Sequence, residues 1–233
     1  MVSAGTGGRA LFWRAHVGGD ANGVVRGPPK AQMWFARRSE GKAIDPLKLV
    51  DNLVGGGIAA GATTGETLAK EAWEEAGIKS ELVSRAQPAG AVHLWREQPD
   101  GLQSETIFVH DLWLPGDFVP ANQDGETIEH RLVVMDDAAR LIALAEGPDE
   151  VTADASLVVL DFLLRQGAVD AASPAFGRLK ALRNTHAAAR PRVSRRHVLD
   201  AHSASVSRMA LTACRISSGP IAPMHPTRKS RLA

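Results

Sequence analysis

Alternating apolar positions predict strands in the first quarter of the chain. Residues 31–37 place Met33 and Phe35 on one face and Trp34 on the other, the period-two pattern of a half-buried strand. A second apolar run, residues 48–54, leads into Gly55-Gly56-Gly57, which is predicted as a turn. A short strand is expected at 11–17, and the other glycine-rich residues up to 30 are expected to be poorly ordered.

Residues 64–76 carry the clearest helix signal. Thr63 can cap the first turn while Glu66, three residues later, reaches back to the cap, and Gly77 suits the C-terminal cap. One side of this helix is small and apolar and is expected to pack on a sheet; it consists of Ala69, Ala72, Trp73 and Ala76.

The later part of the chain repeats both patterns. Strands are predicted at 91–95, 106–112 and 129–134, and helices at 136–145 and 154–165, with turn-rich loops at 115–117 and 122–125. Strands mixed with one central and two late helices predict an α/β (α+β) sandwich.

Charge divides the chain into an acidic body and a basic tail. Residues 178–233 hold twelve Lys or Arg and one acid, Asp200, without apolar periodicity, so residues 169–233 are expected to be a disordered tail. Such a tail can bind nucleic acid, but no aromatic residues alternate with its charges, and a solvated extension is the favoured interpretation.

No apolar run approaches the roughly 18 residues of a membrane span, and a cytoplasmic protein without a membrane partner is expected. The single cysteine, Cys214, excludes an intramolecular disulfide.

Three acids on the central helix point to a cation. Glu71, Glu74 and Glu75 stand at positions i, i+3 and i+4, within one arc of the helix. Their mutual repulsion would be reversed by a divalent cation, and oxygen ligands in this number suit Mg²⁺ or Mn²⁺. Lys70 could orient a carboxylate or meet a phosphate oxygen; the alternative is a solvated pair with Glu66 or Glu74.

The spacing of these residues resembles the Nudix box, Gly-x5-Glu-x7-Arg-Glu-U-x-Glu-Glu-x-Gly-U, where U is aliphatic. Gly56 takes the first glycine, the three helix acids take the acidic positions, and Gly77 and Ile78 end the motif. Two positions depart from it: Lys70 replaces the arginine, and Ala62 replaces the first glutamate. The resemblance implies a Nudix-type α/β/α sandwich with a mixed central sheet.

Further segments are similar to the Nudix branch related to thiamine pyrophosphokinases; they are residues 33–39, 51–54, 105–126 and 157–167. The resemblance places a Nudix domain at 11–168 after a flexible N-terminus at 1–10. That branch carries a further N-terminal region, most of which this sequence lacks, so a truncated N-terminus is expected. The implied reaction is hydrolysis of a small-molecule diphosphate, thiamine diphosphate or its oxidised analogues, to a monophosphate and phosphate.

The resemblance also implies roles for residues. Glu71 and Glu75 would be the primary metal ligands, with Glu74 assisting, the Gly56 carbonyl completing the set and Lys70 beside them. The base stays open between Glu71 and two acids after the 122–125 loop, Glu126 and Glu129.

Substrate contacts outside the box are weaker predictions. Arg37 and Arg38 end a strand with one side chain pointing each way, and either could grip phosphate or be a surface charge. Trp34, Trp95 and Trp113 could stack a heteroaromatic ring, although a buried core position is the commoner role of a tryptophan.

Two other functions remain open on the sequence. One is hydrolysis of ADP-ribose or a nucleotide diphosphate, because residues outside the box set specificity. The other is a non-catalytic binding module of the same fold, which Ala62 favours and the three helix carboxylates disfavour. An ATP-binding P-loop at residues 56–63 is disfavoured, because Ala62 stands where that motif has its lysine.

Overall fold

The computed structural model describes residues 12–27, 30–40, 50–98, 101–143, 147–172, 176–177 and 180. The strands are β1 (Phe12–Val25), β2 (Gln32–Arg38), β3 (Val50–Asn52), β4 (Val54–Gly57), β5 (Gln87–Gln98), β6 (Gly101–Leu114) and β7 (Thr127–Val134). The helices are α1 (Thr64–Ala76), α2 (Ser80–Val83), α3 (Met135–Leu141) and α4 (Ala153–Arg165).

The described strands form one mixed sheet in the order β3-β2-β1-β6-β5, with β4 added to β1 and β7 added to β2. β1 runs parallel to β6 along its whole length, whereas its pairings with β2 and β4 are antiparallel. The mixed central sheet expected from the sequence is therefore confirmed.

Apolar side chains cover both faces of this sheet. Met33 and Phe35 of β2 pack with residues of α3 and α4, while Trp34 packs with Leu68 and other residues of α1 on the opposite face. The alternation predicted for this strand is thus observed, and it divides the apolar side chains between two cores. The three layers form the predicted α/β/α sandwich.

The first strand is much longer than the predicted 11–17. It continues to Val25 because its central glycines lie between two neighbouring strands, where backbone must approach closely. A Cβ at Gly23 would lie 2.2 Å from Leu53 Cδ2, so this glycine marks close packing. The expectation of poor order was wrong for 18–27. A high glycine content indicates only that the backbone can adopt many conformations, and this suits a closely packed strand as well as a loop.

The predicted strand at 48–54 is divided in two. β3 and β4 are separated at Leu53, whose side chain is fully buried, and residues 48–49 lie outside the described residues. The glycines predicted as a turn form the end of β4, where Gly57, Gly56 and Gly55 pair with Gly18, Gly19 and Asp20. The five glycines in this pairing have no side chains, and they lie beside α1.

The predicted helix 64–76 and its ends are confirmed. The Thr63 hydroxyl accepts a hydrogen bond from the Glu66 amide, the Glu66 carboxylate accepts one from the Thr63 amide, and Gly77 caps the helix with a left-handed φ of 64°. The later helices are confirmed with shifted bounds: α3 ends at Leu141, and α4 begins at Ala153. Helix α2 was not predicted. The prediction of an apolar side of α1 was partly wrong: Ala72 and Ala76 are buried as expected, whereas Trp73 is 49% exposed.

Replacing Thr63 with Ala should destabilise the fold by about 0.5–2 kcal/mol, because the first turn of α1 loses a side-chain acceptor. Urea denaturation followed by circular dichroism measures this loss. Thr63→Ser keeps the hydroxyl and should retain most of the stability. Equal unfolding midpoints for the two variants would show that the cap contributes nothing.

No helix in the described ranges combines the length and apolar character needed to cross a bilayer. Packing on the α4 side continues to Val169, which is buried, and to Phe176, which is partly buried. The predictions for residues 1–10 and for 181–233 lie outside the described residues.

Candidate active site

Glu71 lies directly over the glycine strand. A Cβ placed on Gly56 would come within 2.4 Å of Glu71 Cγ and 2.8 Å of its Oε1. Only a glycine at this position leaves room for the carboxylate, whose side chain is 18% exposed. The helix and β4 therefore meet where one residue has no side chain and the other has an acid.

Glu75 is fixed to the same strand from one helical turn further along. Its Oε2 accepts a hydrogen bond of 2.9 Å from the Gly55 amide, and the residue is 5% exposed. The Glu75 carbonyl accepts from His130 Nε2 at 3.1 Å, which fixes the histidine with its proton on Nε2. Burial lowers the pKa of His130 more than its neighbours raise it, so the neutral ring is favoured.

Glu74 is held by Lys70. Lys70 Nζ lies 2.6 Å from Glu74 Oε2 and 3.2 Å from Glu71 Oε1. The hydrogen bond to Glu74, and then that to Glu71, raises the pKa of Lys70 above its usual value. Of the two partners considered from sequence, Glu74 is the observed one, because the Glu66 carboxylate is engaged by Thr63.

The helix acids thus face β4 and Lys70 rather than open solvent. Among the described residues, no three His, Cys, Asp or Glu side chains already stand as a metal-binding group. The donor types nevertheless suit a hard cation: Glu71 and Glu74 are half-buried carboxylates, and Gly56 has no side chain between its backbone and Glu71.

A sequence model of the NUDIX domain matches residues 19–155, more than half of the chain. The chain belongs to the Nudix family. It is 37% identical to Nudix hydrolase 24, chloroplastic, of Arabidopsis thaliana over 155 residues, which cover 66% of this chain and 41% of that protein. It is 36% identical to Nudix hydrolase 20, chloroplastic, of the same plant over 146 residues, which cover 63% and 38%. The chain therefore spans about two fifths of the length of these relatives.

Among solved structures, the MutT protein from Methanosarcina mazei Go1 is 21% identical, with a TM-score of 0.49, covering 67% of this chain and 99% of that one. The segment of this Nudix chain that resembles the box falls on α1, and the glycine that begins it, Gly56, lies on β4. Ala62, at the position of the first box glutamate, lies in the loop before α1 and donates its amide to the Ala59 carbonyl.

The two predicted phosphate-binding arginines have different surroundings. Arg37 bonds Glu129, Asp149 and the Pro148 carbonyl, and its side chain is 11% exposed, so its donors face internal partners. Arg38 pairs with Asp51. Burial lowers the pKa of Arg38, but the charges of Asp51, Asp154 and Glu75 raise it by more, so the pKa lies above its usual value. The charge of Glu75, on α1, is thus among those that act on Arg38.

Neither Trp34 nor Trp113, two of the predicted stacking candidates, presents an open ring surface beside α1. Trp34 is 8% exposed within the α1 core, where its indole N–H has no hydrogen-bond partner. Trp113 lies on the opposite face, tilted against Phe162 and covered by the Arg26 guanidinium at 4.3 Å. The side chain of Trp95 lies outside the described residues. The core interpretation thus holds for Trp34.

The two downstream acids differ as candidates for the base. Glu126 is exposed, in a loop attached to α1 by the Ala121 amide on the Ala76 carbonyl and the Gln123 amide on the Glu74 carbonyl. Glu129 is enclosed by Arg37 and Arg131. Partial burial raises the pKa of Glu129, but the bonds from Arg131 and Arg37 outweigh it and lower the pKa overall. A weakly basic, paired carboxylate is a poor proton acceptor, so the structure disfavours Glu129.

Two acids near the glycine strand were missed from the sequence. Asp20 pairs in register with Gly55, and its Oδ2 accepts from Asn52 Nδ2 at 2.9 Å. Burial, with the nearby charges of Asp51 and Asp154, raises the pKa of Asp20 well above its usual range. Glu105 Oε1 lies 3.5 Å from the point that a Gly18 Cβ would occupy, as does the Gly56 carbonyl oxygen. Only strand pairing brings these residues together, and no local spacing signals it.

Glu129→Gln should reduce stability at neutral pH and matter less in acid. A depressed pKa contributes stability above the unfolded value of 4.5, and the contribution is lost as the pH falls through the folded pKa. Urea denaturation of the wild type and the variant at about pH 7 and about pH 3 tests this linkage. A difference in unfolding free energy that stays constant between the two conditions would contradict the prediction.

Proposed function

We propose that this Nudix chain hydrolyses the phosphoanhydride bond of a small-molecule diphosphate with the help of Mg²⁺ or Mn²⁺. The observation that carries the proposal is the Glu71 carboxylate lying over the side-chain-free backbone of Gly56. The absence of a side chain at Gly56 leaves this space to the carboxylate. The family membership of the chain and the names of its relatives as hydrolases support the same conclusion.

The bound cation would neutralise phosphate charge and activate the attacking water. Glu71 and Glu75 would be its primary ligands, with Glu74 assisting and the Gly56 carbonyl completing the set. The Gly55 amide fixes the Glu75 carboxylate, and His130 holds the backbone of the same helical turn. Glu126, on a loop attached to the end of α1, is our candidate base, with Glu71 as the alternative.

Within diphosphates, we propose thiamine diphosphate and its oxidised analogues as the first substrates to test, on the resemblance of residues 33–39 and 105–126 to that branch. The contacts of α1 support recognition of the diphosphate and metal, and of the two candidate arginines Arg38 is the one near the charge of Glu75. Trp34 and Trp113 provide no open ring surface near α1. Recognition of the heteroaromatic group would therefore use other residues. A cytoplasmic location likewise stays a proposal, since both plant relatives are named chloroplastic.

A panel of diphosphates tests the proposal. Thiamine diphosphate, an oxidised thiamine diphosphate, ADP-ribose and a nucleoside diphosphate are each incubated with Mg²⁺, with excess chelator, and with Glu75→Gln as the matched inactive variant. We expect release of phosphate or a monophosphate that requires Mg²⁺ and is lost in the variant. Turnover of ADP-ribose alone would replace the thiamine assignment, and no turnover of any compound would favour a binding module.

A further inference from the structure

One ammonium group bridges two of the carboxylates assigned to the metal. Lys70 Nζ contacts Glu74 Oε2 at 2.6 Å and Glu71 Oε1 at 3.2 Å, whereas the third carboxylate, on Glu75, is held by the Gly55 amide. In this arrangement the positive charge of Lys70 compensates the repulsion between Glu71 and Glu74. A divalent cation would bind the same two groups.

Lys70 is directed to these acids by the helix cap. On a helix, a glutamate four residues before a lysine is a better partner than one four residues after it. Glu66 holds that preferred position, but its Oε2 accepts from the Thr63 amide at 2.8 Å and the Thr63 hydroxyl at 2.7 Å. Lys70 therefore pairs with Glu74, in the less favourable order, and with its neighbour Glu71.

The resulting ion pairs can be displaced. The Lys70 side chain is 61% exposed, so water screens its interactions and an exchange requires no rearrangement of the core. Mg²⁺ carries twice the charge of an ammonium and approaches carboxylate oxygens to about 2.0–2.1 Å. We propose that Lys70 is an internal counter-ion of Glu71 and Glu74, which the metal must displace, so that Lys70 sets the metal affinity of the site. This inference rests on the proposed function, since both need a divalent cation at these carboxylates.

Calorimetric titration with Mg²⁺ alone tests the competition directly. Lys70→Met should bind Mg²⁺ on the order of three- to tenfold more tightly than the wild type, because two exposed ion pairs no longer compete. Lys79→Met is the matched control: it removes an exposed ammonium just before α2, nine residues away, and should change the dissociation constant by less than about twofold. If Lys70→Met binds no more tightly than Lys79→Met, the proposal is overturned.

Acylation of lysine amines gives a second readout that does not depend on a variant. Wild-type protein is treated with limiting acetylating reagent with and without Mg²⁺, and peptide mass spectrometry compares Lys70 with Lys79. Release from the carboxylates should make Lys70 more reactive when Mg²⁺ is bound, while Lys79 stays constant. Unchanged Lys70 reactivity despite measured Mg²⁺ binding overturns this inference alone. No Mg²⁺ binding to the wild type would overturn the proposed function, and this inference with it.

Discussion

Gly56→Ala is expected to lower kcat/KM for the diphosphate substrate by about 100-fold while the protein still folds. The added methyl would lie 2.4 Å from Glu71 Cγ and 2.5 Å from its Cδ, far inside contact distance. Glu71 is on the half-exposed face of α1 and can rotate away, so the clash displaces the carboxylate by an ångström or more rather than disrupting the core. Displacement of that order at reacting groups is sufficient for such a loss of rate.

Gly57→Ala provides a matched control on the adjacent residue. A Cβ at Gly57 meets nothing within 4 Å, and its backbone is not in the left-handed region. The same substitution one position along should therefore leave kcat/KM near the wild-type value and leave stability unchanged or slightly higher. Steady-state kinetics and thermal unfolding of both variants make the comparison. Equal activities would show that the space over Gly56 has no role in catalysis.

The box helix was predictable in detail because its information is local. Thr63, Glu66 and Gly77 specify both ends through contacts within one turn, and the observed bounds agree with the predicted ones. The exposure of Trp73 was not predictable in this way. The alanines beside Trp73 allow its side chain to point either toward the sheet or toward solvent. The position of β4 decides between these two orientations, and the local sequence does not reveal that position.

Glycine-rich segments were misinterpreted for a physical reason. A glycine suits a turn because φ is unrestricted, but it also suits a strand where another element approaches closely, and the sequence signal is the same. At Gly23 and Gly56 the approaching atoms belong to Leu53 and Glu71, which are 30 and 15 positions away in the sequence. The extended β1 and the strand β4 follow from those contacts.

Partners of charged side chains were also beyond local inference. Arg37 meets Glu129 and Asp149 only because β7 pairs with β2 and the chain returns past Pro148. From the sequence, Arg37 and Arg38 are equivalent cations at a strand end. The fold separates them, since Arg37 pairs with Glu129 on β7 and with Asp149, whereas Arg38 lies near Asp51 and the charge of Glu75. Phosphate binding is thereby a stronger proposal for Arg38.

The second large effect is expected from Glu71→Gln, which should lower kcat/KM on the order of 10²–10⁴-fold. The amide retains the size and most contacts of the side chain above Gly56, but it loses the negative charge that would hold a cation and the basicity that would accept a proton. Calorimetry should therefore show weakened Mg²⁺ binding together with the kinetic loss. Thermal stability should change little, because removing the carboxylate also relieves its repulsion with Glu74 and Glu75.

Glu81→Gln is the matched control. It removes the same charge from the exposed surface of α2, the helix that follows α1, and therefore tests whether a change in net charge alone affects activity. We expect it to retain wild-type turnover and metal affinity. A Glu71→Gln enzyme that matched Glu81→Gln in both measurements would mean that the carboxylate over Gly56 neither binds metal nor takes part in the reaction. The close approach of α1 to β4 would then be a matter of packing, and the catalytic centre would have to lie elsewhere on the sheet.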